Sequence, residues 1–128
     1  MFKNEKFLVV KHYEYGASGS GKDSSDPASP VDGDIVAILS NCVVEECDVI
    51  VKSAITGAIT GIGDDDDNDG FAKGASITEA TPGWYIGDGD YLALGIKKYY
   101  SAAGKEVKLD QTSITAGSFA VVLQGYRI

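Results

Sequence analysis

Five aspartates are concentrated in one short stretch of the sequence, GIGDDDDNDGF, which is a candidate metal site. Asp65, Asp67 and Asp69, followed by a glycine, match the opening D-x-D-x-D-G of a calcium-binding loop, where alternate carboxylates converge on one ion. Ser76 stands where the closing bidentate glutamate of such a loop belongs, and no helical pattern flanks the stretch. The three aspartates are therefore candidate calcium ligands, and an acidic, exposed hairpin tip is the favoured interpretation.

Residues for nucleophilic or acid–base catalysis are scarce in this chain. His12 is the one histidine in 128 residues, whereas a serine or cysteine nucleophile needs a histidine base that is itself oriented by an acid. Carboxylate pairs that cleave glycosides belong on rigid elements facing a cleft, and the carboxylates here fall mainly in predicted loops. The sequence therefore predicts a protein that is not an enzyme and holds no cofactor other than the calcium considered above.

The two cysteines, Cys42 and Cys47, lie five positions apart, so on one straight strand their side chains would point to opposite faces. Zinc normally takes four ligands, and the chain offers two cysteines and one histidine. We expect two reduced, mostly buried thiols rather than a disulfide or a zinc site.

The charge and hydropathy of the chain limit the classes of molecule that it is expected to bind. The formal net charge is −8 at pH 7, and removing the five clustered aspartates leaves −3, so much of the acidity is local. Arg127 is the one arginine and the lysines form no basic stripe, which argues against direct binding to nucleic acid. No stretch approaches the roughly 18 apolar residues of a membrane span, and the apolar run at residues 7–10 is too short for a signal peptide. We therefore expect a soluble protein that is made in the cytosol and binds no membrane.

The elements that position these residues are predicted to be strands, because valine, isoleucine, threonine, tyrosine and glycine recur where helix formers would otherwise stand. A helical stripe is also visible in residues 47–60, but their β-branched residues favour a strand. The chain length fits a single domain spanning residues 1–128. The pattern predicts an all-β fold, a β-sandwich or jelly roll of about eight strands, at residues 6–15, 34–39, 47–60, 71–81, 84–86, 91–100, 106–110 and 118–128.

Three segments carry further expectations. Residues 16–33 are rich in glycine, serine and proline and have little to bury, so they should form an extended or mobile loop or strap. Residues 91–100 and 106–110 should be the two arms of a hairpin. The strand at residues 118–128 is apolar on both faces, which suggests cover from a second sheet and from a second subunit.

Three motifs together resemble a recurrent group of virion structural proteins of tailed bacteriophages. They are DVIVKSAITGAITGIGDDDDNDGF at residues 48–71, GWYIGDGDYLALG at residues 83–95 and SITAGSFAVVLQGYRI at residues 113–128. In that group a strand of alternating valine and isoleucine leads through a small-residue hairpin to an acidic loop, and the chain ends in a T-A-G-S turn and an apolar strand. The group often has proline in the acidic loop, where this chain has Asn68.

The resemblance implies a non-enzymatic β-sandwich displayed on a virion, as a capsid decoration (cement) protein, a head-fibre base or a tail component. A decoration protein of this kind would be made in the host cytoplasm, bind the major capsid protein and assemble as a homotrimer. Two alternatives remain open. One is a calcium-dependent binding module, and the other is a tail or fibre module that binds a host receptor or glycan through five aromatic residues, Trp84, Tyr85, Tyr91, Tyr99 and Tyr100.

Overall fold

The computed structural model describes residues 5–128 and confirms an all-β chain. The seven strands within these residues are β1 (Lys6–Glu14), β2 (Asp34–Leu39), β3 (Cys42–Gly63), β4 (Ala72–Lys73), β5 (Gly83–Ile86), β6 (Lys98–Tyr100) and β7 (Lys105–Arg127). Two short 3-10 helices lie at Gly74–Ser76 and Ala93–Gly95. In the described residues, no helix has the length and apolar character needed to cross a membrane.

All seven strands belong to one antiparallel sheet, with the two longest strands at its centre. β3 and β7 pair along almost their whole lengths, from Cys42 opposite Arg127 to Gly63 opposite Lys108. β1 and β2 pair with the other edge of β7, while β4, β5 and β6 pair with the other edge of β3. The predicted sandwich or jelly roll, with its two sheets and about eight strands, is not confirmed by this arrangement.

The sheet folds back on itself, so that the two ends of β3 lie close together. Tyr100 of β6, which pairs with Cys42 at the start of β3, hydrogen-bonds to Asp64, just beyond the end of β3. A straight strand of this length would separate its ends by about 70 Å. The register of β3 against β7 shifts at five places, and such bulges bend a sheet. The curled sheet encloses the core, whose largest fully buried side chains include Tyr13, Phe71, Phe119, Ile59, Ile62, Leu109 and Leu123.

One bulge changes the expected orientation of the cysteines. Cys42 and Cys47 are buried and free, as predicted, but both point into the core instead of to opposite faces. The register shift between Val44 and Glu46 inserts one extra residue into β3. Because of this extra residue, Cys42 and Cys47 lie on the same face although they are five positions apart. Burial raises the pKa of the Cys47 thiol, so this thiol stays protonated.

The predicted hairpin of residues 91–100 and 106–110 is wrong. β6 pairs with the start of β3, whereas residues 105–109 of β7 pair with β2. In the segment before β6, Leu94 and Ile96 are 99% and 57% exposed, so these two residues of the apolar alternation do not face the core. Leu94 also has a positive φ of 57°, which interrupts an extended strand.

The glycine- and serine-rich segment at residues 16–33 folds against β1 of its own chain. The amide of Glu14 donates to the carbonyl of Ala28 at 2.9 Å, and the amide of Ala28 donates to the carbonyl of His12 at 3.0 Å. The amide of His12 in turn donates to the carbonyl of Gly21 at 2.9 Å. The segment thereby covers the edge of β1, which would otherwise expose unpaired backbone groups.

Candidate functional surfaces

The acidic stretch forms the tip of a hairpin, as predicted. Gly61 pairs with Lys73 and Ile62 pairs with Ala72, so the aspartates lie in the connection between β3 and β4. The expectation that all five carboxylates are exposed is wrong for one of them. Asp64 is only 2% exposed, because it lies beneath the side chains of Tyr91 and Tyr100.

The carboxylate of Asp64 accepts four hydrogen bonds. Its Oδ1 accepts from the hydroxyl of Tyr91 at 2.6 Å and from the amides of Asp66 at 3.0 Å and Asp67 at 3.1 Å. Its Oδ2 accepts from the hydroxyl of Tyr100 at 2.7 Å. Burial alone would raise the pKa of Asp64, but these donors outweigh burial and hold the pKa below its ordinary value. Asp64 is therefore a charged structural anchor that ties the acidic loop to β6.

Two exposed aspartates connect the same loop to β7. Asp65 forms an ion pair with Lys108 at 2.9 Å, and Asp66 forms one with Lys105 at 3.1 Å. Exposed pairs of this kind contribute about 0–1 kcal/mol each, so they orient the loop more than they stabilise it.

The structure brings together two of the three predicted calcium ligands. Asp67 and Asp69 hydrogen-bond through their carboxyl groups, and this contact, together with burial and the charge of Asp67, raises the pKa of Asp69. The third predicted ligand, Asp65, is turned towards Lys108. Within residues 5–128, no group of three or more histidine, cysteine, aspartate or glutamate side chains is arranged to hold a metal ion.

This geometry predicts a weak response to calcium. We expect about 1 mM CaCl2, the weak end of protein calcium sites, to shift the melting temperature by less than about 1 °C relative to EGTA, because calcium needs six to eight oxygen ligands. Differential scanning fluorimetry provides the measurement, and Lys108→Met, which frees Asp65, is the matched comparison. A rise of several degrees that disappears in Asp67→Asn and Asp69→Asn would show that the loop is a calcium site.

The five aromatic residues predicted as a stacking surface do not act together. Tyr91 and Tyr100 are turned inwards to Asp64, and the hydroxyl of Tyr85 donates to the carbonyl of Thr81 at 2.6 Å. Trp84 and Tyr99 are 63% and 58% exposed. Two of the five aromatic rings are therefore available to stack on a ligand.

A second surface, here called the outer face, lies on the side of the sheet that points away from the core. The residues that belong to this face can be identified from the pairing register, because residues directly opposite each other on neighbouring strands share a face. Three rows cross β1, β7 and β3, and the second and third rows continue onto β5. They are Leu8–Gln124–Glu46, Val10–Val122–Asp48–Ile86 and His12–Ala120–Ile50–Trp84. The sequence signal for this surface was the apolar character of both faces of residues 118–128.

The single histidine lies on the outer face. The Nδ1 atom of His12 is 3.1 Å from Nζ of Lys52. Burial and the charge of Lys52 lower the pKa of His12, so the ring is neutral at pH 7. His12 is thus engaged with a lysine in a strand rather than with a nucleophile.

No protein-family model matches the chain, and no curated protein matches it. A solved structure with a similar fold is a chain of the Cyanophage Pam1 capsid asymmetric unit. The TM-score is 0.63, the sequence identity is 14%, and the alignment covers 100% of this chain and 89% of that chain. The two chains share a fold over almost their full lengths.

Proposed function

We propose that this chain is a structural protein of a tailed-phage virion that binds the capsid as a decoration protein. The observation that carries the proposal is the full-length similarity in fold to a chain of a cyanophage capsid asymmetric unit. Because the alignment covers 89% of that chain as well as all of this one, it matches whole domains rather than a common pair of strands. The sequence resemblance to phage virion proteins supports the same assignment.

The proposed role is non-enzymatic. The groups that could carry chemistry are engaged structurally: Asp64 accepts four hydrogen bonds, His12 lies beside Lys52, and Cys42 and Cys47 are buried. A decoration protein stabilises a shell by binding several neighbouring sites at once. Simultaneous engagement of three subunits of a homotrimer multiplies a weak affinity by roughly 10²- to 10⁴-fold. The proposed partners are therefore the major capsid protein and two further copies of this chain.

Cryo-electron microscopy of particles of the phage that encodes the chain tests this proposal. We expect density for the curled seven-stranded sheet on the capsid lattice, grouped in threes, and a trimer in light scattering of the purified protein. Particles that lack the chain should release their DNA at a lower temperature than complete particles. Density confined to the tail, together with a monomer in solution, would contradict the proposal.

A receptor-binding tail or fibre module is a second candidate, and one observation favours it. Trp84 is 63% exposed, yet its Nε1 donates to Asp48 at 2.7 Å, which fixes the orientation of the indole. A ring held in this way can stack on a sugar with little loss of side-chain entropy. If this candidate holds, Trp84→Ala together with Tyr99→Ala reduces adsorption of the phage to its host, whereas a decoration protein tolerates both changes in that assay.

A further inference from the structure

The outer face exposes apolar side chains on both of its edge strands. Leu8 on β1 is 64% exposed, and Trp84 and Ile86 on β5 are 63% and 67% exposed. Between them, the half-buried Val10 and Ile50 and the buried Val122 and Ala120 complete an apolar strip. Exposed apolar side chains grouped on one face mark a site of interaction with another molecule.

A pair of carboxylates lies in the middle of this apolar surface. Glu46 and Asp48 are two residues apart on the same face of β3, and burial together with the charge of Asp48 raises the pKa of Glu46. Gln124 donates to Glu46, and Trp84 donates to Oδ2 of Asp48 at 2.7 Å. Asp48 is only 1% exposed, and its Oδ1 has no hydrogen-bond donor within residues 5–128. A buried, unpaired carboxylate oxygen is unfavourable unless a donor reaches it.

A hollow of about 280 Å³ opens beside Glu46 and is lined in part by Glu45, Glu46, Leu8 and Gln124. Oε1 of Glu45 also has no hydrogen-bond partner in the described part of the chain, while its Oε2 is 3.5 Å from Lys97. Lys6, which also lines the hollow, has its Nζ over the ring of Tyr126, 5.8 Å from the centroid. The hollow therefore combines negative charge and unused acceptors with apolar edges.

We propose that the outer face binds a partner protein through an apolar surface carrying one lysine or arginine, whose cation enters the hollow beside Glu45 and Glu46. The cation supplies donors to the carboxylates, and an arginine can serve two oxygens at once through its planar fork. The surrounding apolar strip excludes water from this contact, the arrangement found at the energetic centre of protein interfaces. The inference goes beyond the proposed function, because it assigns a surface and a partner chemistry that hold wherever the chain lies on a particle.

Charge complementarity favours a different protein over a second copy of this chain. A two-fold pairing of outer faces would bring Glu46 and Asp48 towards the same carboxylates of the other copy. The chain already carries a net charge of −8, which adds to the repulsion. A basic, apolar partner relieves the repulsion that the acidic pair creates.

Site-specific photo-cross-linking tests the inference in cells infected with the phage that encodes the chain. p-Benzoylphenylalanine replaces Leu8 on the outer face or, as the control, Ile38, which is 72% exposed on β2. We expect the Leu8 position to cross-link another protein at an apolar segment containing lysine or arginine, identified by mass spectrometry, and the Ile38 position to lack this product. Cross-linking of Leu8 to a second copy of this chain, to no protein, or to the same products as Ile38 would overturn the inference.

Neutralising the acidic pair separates binding from folding. Glu46→Gln should raise the melting temperature of the free chain, because it removes the repulsion from Asp48, yet it should lower the Leu8 cross-link yield about tenfold, equivalent to about 1.4 kcal/mol. Ile86→Asp should also abolish the cross-link, whereas Ile38→Asp should not. An unchanged yield in Glu46→Gln would contradict the role of the carboxylates. If the Leu8 position cross-links a partner but the chain is absent from particles, the binding role of the outer face is supported and the proposed virion role is rejected. If the chain is present on particles but the Leu8 position gives no cross-link, only the binding role of the outer face is rejected.

Discussion

Replacing Asp64 by alanine is expected to destabilise the fold by about 3 kcal/mol, because two tyrosine hydroxyls and two backbone amides lose a charged acceptor inside the protein. For a domain of this size, the change corresponds to a fall in melting temperature of roughly 10–15 °C. Thermal unfolding followed by circular dichroism and denaturant titration both measure it. No other single aspartate in the acidic loop should have a comparable effect.

Matched variants isolate the cause of this effect. Asp65→Ala removes a neighbouring carboxylate with an exposed ion pair and should cost less than about 1 kcal/mol. Tyr100→Phe removes one of the four donors and keeps the ring in the core, so it should cost about 1 kcal/mol. If Asp64→Ala were as mild as Asp65→Ala, the buried carboxylate would not be an anchor of the loop.

The pH dependence of the same site follows from the direction of the pKa shift. The pKa of Asp64 is lowered in the folded state, so its carboxylate stabilises the fold fully above the pKa of the unfolded chain, about 3.9. This contribution disappears as the pH falls through the lower pKa of the folded state. The stability gap between the natural chain and Asp64→Asn should therefore be largest near neutral pH and should narrow below about pH 3.5. An equal stability difference between the two chains at neutral pH and below about pH 3.5 would contradict a lowered pKa for Asp64.

Short strands bounded by turn residues could be predicted from the sequence. The predicted strand at residues 34–39 coincides with β2, and the prediction for residues 6–15 exceeds β1 by one residue. Residues 47–60, whose β-branched residues favour a strand over a helix, lie inside β3. In β1 and β2 the information is local, because β-branched residues and flanking glycine or aspartate define both the conformation and its limits. In β3 the β-branched residues indicate the conformation but not the limits, because the strand extends from Cys42 to Gly63.

Features that depend on distant partners could not be predicted. Nothing in the sequence distinguishes the four consecutive aspartates at residues 64–67 from one another. Asp64 differs from its neighbours in burial only because Tyr91 and Tyr100 approach it in the folded chain. The bulge that turns Cys42 and Cys47 to one face is defined by the pairing of β3 with β7, not by either strand alone. The apolar residues at 91–100 alternate with the period of a strand, but this period does not show whether the rest of the protein packs against either face.

The acidic pair on the outer face shows the same limit. Glu46 and Asp48 read as ordinary polar positions of a half-exposed strand, while the residues that surround them come from β1, β5 and β7. The apolar character of both faces of residues 118–128 predicts cover from a second sheet and a second subunit, whereas the structure has one sheet and places Ala120 and Val122 on its outer face. Only the pairing register shows that a buried carboxylate lies at its centre.

Replacing Gly117 by alanine is expected to destabilise the fold by at least about 3 kcal/mol or to prevent folding, because two unfavourable effects coincide. Gly117 has a φ of +103°, a conformation that L-residues rarely adopt. A Cβ atom there would also meet the backbone of β3, 2.6 Å from Cα of Ile55. Backbone atoms cannot rotate away as a flexible side chain can, so β3 and β7 would have to separate where Ile55 and Ile114 are buried.

Gly33→Ala provides the control that separates the two effects. Gly33 has a φ of +80°, yet a Cβ added there would meet no atom within 4 Å in the described part of the chain, apart from its chain neighbours. Alanine at this position should therefore cost only about 1 kcal/mol of backbone strain. The difference between the two variants measures the close approach of the central strands at the bend.

Gly57 lies on the opposite strand and gives an independent check of the same close approach. A Cβ at Gly57 would be 2.5 Å from the carbonyl oxygen of Ser113, so Gly57→Ala should behave like Gly117→Ala in thermal and denaturant unfolding. If both variants were no more destabilising than Gly33→Ala, β3 and β7 would be free to separate at the bend. The curvature that brings Asp64 to Tyr100 would then have to arise elsewhere in the sheet.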